Sequence, residues 1–168
     1  MQMAKSPLLP VLGGAVLLAM LAGSVLVLPA WLKNRQAGNV ETVTVEAAQC
    51  DVNRQACTAR WPDGETLSLN LIPRPIPLVR TLQAEVRVSE KLTGQLDGPL
   101  QLDFNGTDMD MGINQSRLVA SGEPGLYQGK GMLPVCVTGK MRWQAEILLA
   151  GTSGPLRKAV FRFESGGM

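Results

Sequence analysis

The strongest constraint on this chain's fold is a period of two. Val43 and Val45 alternate with Thr42, Thr44 and Glu46, and Leu67, Leu69 and Leu71 with Thr66, Ser68 and Asn70. The same pattern sets Leu82, Ala84, Val86 and Val88 against Gln83, Glu85 and Arg87, and Leu100, Leu102 and Phe104 against Gln101 and Asp103. Trp143, Ala145 and Ile147 alternate with Arg142, Gln144 and Glu146, and Phe161 and Phe163 with Arg162 and Glu164. Successive side chains on a strand point to opposite faces, so each run reads as a strand with one buried and one wet face. Shorter candidates lie near Thr58, Leu118 and Tyr127, and helical periodicity hardly appears. Turn signals at Pro62-Asp63-Gly64, Asn105-Gly106 and Gly151 to Pro155 separate the runs, a spacing that predicts an all-β antiparallel sandwich. The stretch Pro73-Arg74-Pro75-Ile76-Pro77 cannot be a central strand, because proline donates no ladder hydrogen bond. It reads as a crossover between two sheets, with a proline-rich ligand for a partner groove as the alternative.

The chain's 168 residues accommodate one ordinary domain and a short attachment. Val11 to Leu28 is an uncharged run, and its extension through Trp31 and Leu32 approaches the ~20 residues that span a bilayer. Trp31 sits where an interfacial aromatic belongs, and the exit Leu-Pro-Ala-Trp-Leu-Lys lacks a clean small-x-small cleavage site, which favours an anchor over a signal peptide. The expected division is a cytoplasmic N-terminus over 1–10, a transmembrane anchor over 11–32, a linker over 33–39 and a periplasmic β-sandwich over 40–168. Lys5 with the free amine balances Lys33 and Arg35, so orientation must come from the soluble part.

Sixteen Lys and Arg against 14 Asp and Glu leave a formal charge of +2, too small for an electrostatic case for nucleic acid. The chain has no histidine, which removes a Ser-His-Asp triad, a His-Cys dyad and imidazole metal ligation. Asp108 and Asp110 have no opposing carboxylate in the pattern, so acid-base catalysis has no visible pair and an enzyme is not expected.

Sulfur is left, and it is unevenly placed. Of eight methionines, Met1, Met3 and Met20 fall in the N-terminal segment, Met168 ends the chain, and Met109, Met111, Met132 and Met141 cluster late. In an extended run, Met109 and Met111 would turn both thioethers to one side and leave Asp108 and Asp110 on the other. A hairpin-like approach of the segment around Pro134 and Gly139 could then gather Met109, Met111, Cys136 and Met141 at one end of the sandwich. Thioether and thiolate donors prefer Cu(I), and thioethers stay unprotonated over a wide pH range. The alternative is ordinary packing: Met141 shares a strand face with Trp143 and Ala145, and Met132 beside Leu133 reads as core.

The three cysteines, Cys50, Cys57 and Cys136, suggest one bridge and one spare thiol in an oxidising compartment. Cys50 and Cys57 enclose a loop short enough to close between neighbouring strands and are the favoured pair, a bridge that agrees with an exported domain. Three buried thiols are the alternative. Neither a CxxC redox motif nor a four-ligand zinc spacing is present.

At these residues the chain resembles FixH-like and YtkA-like proteins, bacterial anchored β-sandwich modules linked with copper handling and cytochrome oxidase assembly. The resemblance covers roughly Cys50 to Leu149. It is carried by the Cys50 and Cys57 pair, Pro73 to Pro77, Met109-Asp110-Met111-Gly112 with Asn114, Gly125 to Gly129, Leu133-Pro134-Val135-Cys136, and Gly139 to Trp143. It implies an Ig-like sandwich facing the periplasm, held in the inner membrane by a single pass, that supplies copper to a haem-copper oxidase or helps assemble one. The implied partners are an oxidase subunit or another copper chaperone. Copper chaperones with paired His and Met ligands use imidazole, so copper here would be held through sulfur alone. A metal-free assembly module of a membrane complex is the competing expectation.

Overall fold

The structure is a computed structural model and describes residues 40–109, 111–134, 141–151 and 156–165. The N-terminus, anchor and linker expected over 1–39 lie outside the described residues. Among those described, no helix is long and apolar enough to cross a membrane.

Every alternating run becomes a strand. The order along the chain is β1 (Glu41–Val45), β2 (Cys57–Arg60), β3 (Thr66–Ile72), β4 (Thr81–Val88), β5 (Leu100–Gly106), β6 (Gln115–Ala120), β7 (Leu126–Met132), β8 (Met141–Leu149) and β9 (Arg157–Ser165), with one short helix, α1 (Glu90–Thr93), among the described residues. The strands form a single hydrogen-bonded sheet in the order β1-β9-β8-β5-β6-β7-β4-β3-β2. Strand β6 makes the sheet continuous by changing partners along its length. Its first four residues pair with β5, for example Leu118 with Leu100, and its last two, Val119 and Ala120, pair with Gln128 and Tyr127 of β7. Strands that switch partners in this way are how packed sheets turn corners. All strand pairings are antiparallel except that of β1, which lies parallel to β9 from Glu41↔Arg157 to Val45↔Phe161. That pairing departs from the purely antiparallel pattern the sequence predicts.

The inward residues of the runs make the core. Leu67, Leu69, Leu71, Leu82, Ala84, Val86, Leu102, Phe104, Trp143, Ala145, Ile147 and Phe161 are buried almost completely. Fully burying one such Leu, Ile or Phe stabilises by about 1.5–3 kcal/mol relative to leaving it exposed. Because the side-chain period is two, a slip of one residue in any pairing would send that strand's apolar set into water, which fixes the register. On β7 the inward position 131 is glycine, and a Cβ there would fall 2.6 Å from the Phe104 ring, so the missing side chain is what lets the ring lie against the strand.

The two ends of the sheet differ. At one end, Trp61 to Glu65 join β2 to β3 through a tight turn with Gly64 at φ 90, the conformation that the Pro62-Asp63-Gly64 signal predicts. Here the edge strands β1 and β2 are drawn together by side chains. The Trp61 indole donates to the Glu41 carbonyl at 3.1 Å, and Arg157 of β9 stacks over the Trp61 ring at 5.4 Å from its centroid while pairing with Glu41 at 3.2 Å and with Asp63. The other end carries Ile72, Thr81, Gly106, Gln115, Met132, Met141 and Ser165, as the registers of β3 to β9 require. We call it the Gly106 end.

The Pro73 to Pro77 segment is not a crossover between sheets. It joins β3 to β4, which pair directly from Leu67↔Val88 to Ile72↔Gln83, and it includes cis Ile72-Pro73 and Arg74-Pro75 peptides. Proline interrupts the ladder there only after β3 has ended, so the signal for a break was correct and the inferred destination was not. Cys50 and Cys57 form the expected disulfide, with a Cα–Cα separation of 5.7 Å.

Candidate metal centre

The Gly106 end is built by a side chain that folds the loop between β5 and β6. Asn105 Oδ1 accepts hydrogen bonds from Gly106 N at 2.8 Å and Met111 N at 2.9 Å, which turns the chain back on itself directly after the strand. Asn is suited to this because its short amide can stand in for a backbone carbonyl. The turn lays the Met109 carbonyl over Gly106: a Cβ at position 106 would lie 2.6 Å from that oxygen and would collide with Met141 Cε. Gly106 is therefore the floor on which the Met109 backbone and the Met141 methyl meet. Thr107 N donates to the Arg142 carbonyl at 3.0 Å, and the Asp108 carboxylate takes two hydrogen bonds from the Arg142 guanidinium at 2.6 and 3.0 Å. This pair is exposed on both sides, where water and salt leave it little net stabilising value. Asp108 holds the Arg142 guanidinium even more firmly protonated than usual, first through the hydrogen bonds and then through its charge.

The loop closes against β7. Phe104 N donates to the Asn114 carbonyl at 3.3 Å, and Asn114 Nδ2 donates to the Met132 carbonyl at 2.9 Å. The Met109 and Met111 backbones and the Met141 methyl thus meet at the Asn105-Gly106 step, but not by the route expected. Thr107 to Met109 are bends, not strand, so the two thioethers do not share a side through strand alternation. Met109 is 48% exposed, Met111 is half-buried against the core, and Met141 is 7% exposed beneath the loop on the face of Trp143. Cys136 and Asp110 lie outside the described residues.

Sequence reasoning missed Met132. Expected in the core, it is 46% exposed at the end of β7. Counting parity from buried Tyr127 would have placed it on the outer face.

The methionines at this end would offer soft donors. Among the described residues no group of three or more His, Cys, Asp or Glu side chains is placed to hold a metal, and the methionines supply the remaining donor type. Neutral thioethers fit Cu(I) and fit Zn, Mg or Ca poorly. The buried indole N–H of Trp143, which follows Met141 on the inner face of β8 and whose residue pairs across to Gly106, has no hydrogen-bond partner among the described residues.

No family model, curated protein or solved structure matches this chain.

Proposed function

We propose that this chain is a membrane-anchored periplasmic protein that binds Cu(I) and serves as an accessory in copper delivery or haem-copper oxidase assembly, without catalysis of its own. The observation that carries the reading is the meeting of the Met109 and Met111 backbones and the Met141 methyl at the Asn105-Gly106 step. Cys136, the fourth ligand of the sequence reading, falls between β7 and β8 in the sequence and lies outside the described residues. The Cys50–Cys57 disulfide supports an exported domain, since such bonds persist in oxidising compartments. The apolar run over 11–32 supports a single-pass anchor in a bacterial inner membrane. The curled nine-stranded sheet supports an Ig-like sandwich, and the link to an oxidase subunit or another copper chaperone rests on the resemblance to FixH-like and YtkA-like proteins.

The test is competition for Cu(I) between the detergent-purified full chain, kept reduced with ascorbate, and a chromophoric chelator. Met109→Leu/Met111→Leu keeps the apolar volume and removes both sulfurs, and it is expected to weaken binding sharply. Equal affinity in wild type and variant would remove these ligands and, with them, the copper reading.

A second reading is favoured by burial. Met141 is nearly enclosed, while Ile113 at 88% and Val79 at 53% exposure place apolar surface at the same end, as a metal-free assembly module would need for a partner. The two readings separate on melting, because a ligand that binds the native state raises the midpoint and an irrelevant ion leaves it alone.

A further inference from the structure

Between Leu126 and Met132 the outer face of β7 is polar. Gln128 and Lys130 point outward with Met132, while Tyr127 and Leu133 are buried on the inner face. An exposed methionine that ends a polar face fills no gap in the core, so packing does not account for it. Its backbone is nevertheless held firmly. Thr81 of β4 lies opposite, the Met132 carbonyl accepts from Asn114 Nδ2 at 2.9 Å, and the following carbonyl, that of Leu133, accepts from Val79 N at 2.9 Å. Val79 adopts φ 56, a left-handed conformation that is costly for a β-branched residue, so the bond to Leu133 fixes this strand end at the expense of strain.

The anchor that holds Met132 belongs to the methionine loop. Asn114 follows Met111 by three residues, which span at most about 11 Å. Asn114 is pinned to Phe104 and Met111 to Asn105, so neither end of that short segment can drift from β5. Met132 is therefore tied through Asn114 to the loop that carries Met109 and Met111. Met141 is buried beneath the same loop.

The geometry points to Met132 as a further thioether donor of this centre, one that adds an exposed sulfur to the Met109, Met111 and Met141 set for Cu(I). The inference rests on the copper reading above and adds a residue to it. Soft thioether donors without a competing hard ligand select Cu(I) among the common biological ions.

The experiment is the same chelator competition on the full chain, with Cu(I) as probe, run on Met132→Leu, Met132→Cys and Met109→Leu/Met111→Leu. Losing a group that merely orients a ligand already costs roughly tenfold in metal affinity, so Met132→Leu is expected to weaken Cu(I) binding by about tenfold or more. Met132→Cys, which keeps a soft donor, is expected to retain most of the affinity. X-ray absorption at the copper edge should show one sulfur fewer in Met132→Leu. Wild-type affinity and sulfur count in Met132→Leu, alongside weakened Met109→Leu/Met111→Leu, would overturn the role of Met132 and leave the copper reading standing. Failure of wild type itself to hold Cu(I) against the chelator would overturn both. The copper-free melting curve of Met132→Leu should match wild type, because the side chain is exposed.

Discussion

Gly106 has no side chain because two other groups occupy its place. One of them, Met141 Cε, is the flexible end of a side chain and can move, but the other, the Met109 carbonyl oxygen, belongs to backbone held by Asn105 and would lie 2.6 Å from any Cβ at this position. Gly106→Ala is therefore expected to destabilise the domain by about 1–3 kcal/mol through overpacking. Urea unfolding checks this, and a loss below about 0.5 kcal/mol would mean that the loop shifts freely. Much at this scale was legible. The inward set and the burial of Met141 follow from parity with Trp143 and Ala145. The placement of Met109 and Met111 did not follow, because an amide side chain one turn away, Asn105, decides it, and periodicity carries no information about a folded-back loop. Met132 was misplaced by its neighbour Leu133, although the period of two places adjacent residues on opposite faces.

Two connections show what individual elements contribute. The Cys50–Cys57 bridge closes a loop with a sequence separation of 7, short enough that the chain-entropy model credits it with about 2–3 kcal/mol. Cys50→Ser/Cys57→Ser should lower the unfolding free energy by that amount. Denatured, unreduced wild type should titrate one thiol per chain, since two of the three cysteines are bridged. Three titrating thiols would contradict the bridge. The turn between β2 and β3 has a different dependence on pH. The Arg157 guanidinium, through its hydrogen bond, holds the Asp63 carboxyl below its ordinary value of 3.8. A carboxyl whose pKa is lowered on folding contributes stability above its unfolded value, and that contribution disappears as pH falls through the folded value. The melting temperature of wild type should therefore exceed that of Asp63→Asn at neutral pH, and the gap should narrow below pH 3.8. A gap that stays constant into acid would assign the effect of Asp63 to something other than its charge. Strand existence was readable at this scale, whereas connection was not: the prolines of 73–77 mark where a ladder must stop but not which strand follows beside it.

For the whole molecule, alternation read one strand at a time pointed to an all-β chain, and every run singled out became a strand. What it could not supply was the arrangement. The parallel docking of β1 on β9 and the change of partner within β6 depend on contacts between residues far apart in sequence, and each strand's own pattern is the same whichever neighbour it takes. The copper proposal divides in the same way: a sulfur donor type is readable in a chain without histidine, while the tie between Met132 and the loop depends on Asn114, which is distant from it in sequence.

The margins of the sheet, β1 and β2, are where a curled sheet is open to intrusion. Unpaired backbone groups along a free edge offer a template to any passing strand, and natural proteins shield such edges or suffer aggregation. Here the stacked Trp61 and Arg157 act as a latch across the seam, borrowing Glu41 from one margin and Asp63 from beside the other. Solubility in a crowded compartment would then depend on four side chains that lie at the opposite end of the strands from the methionine loop.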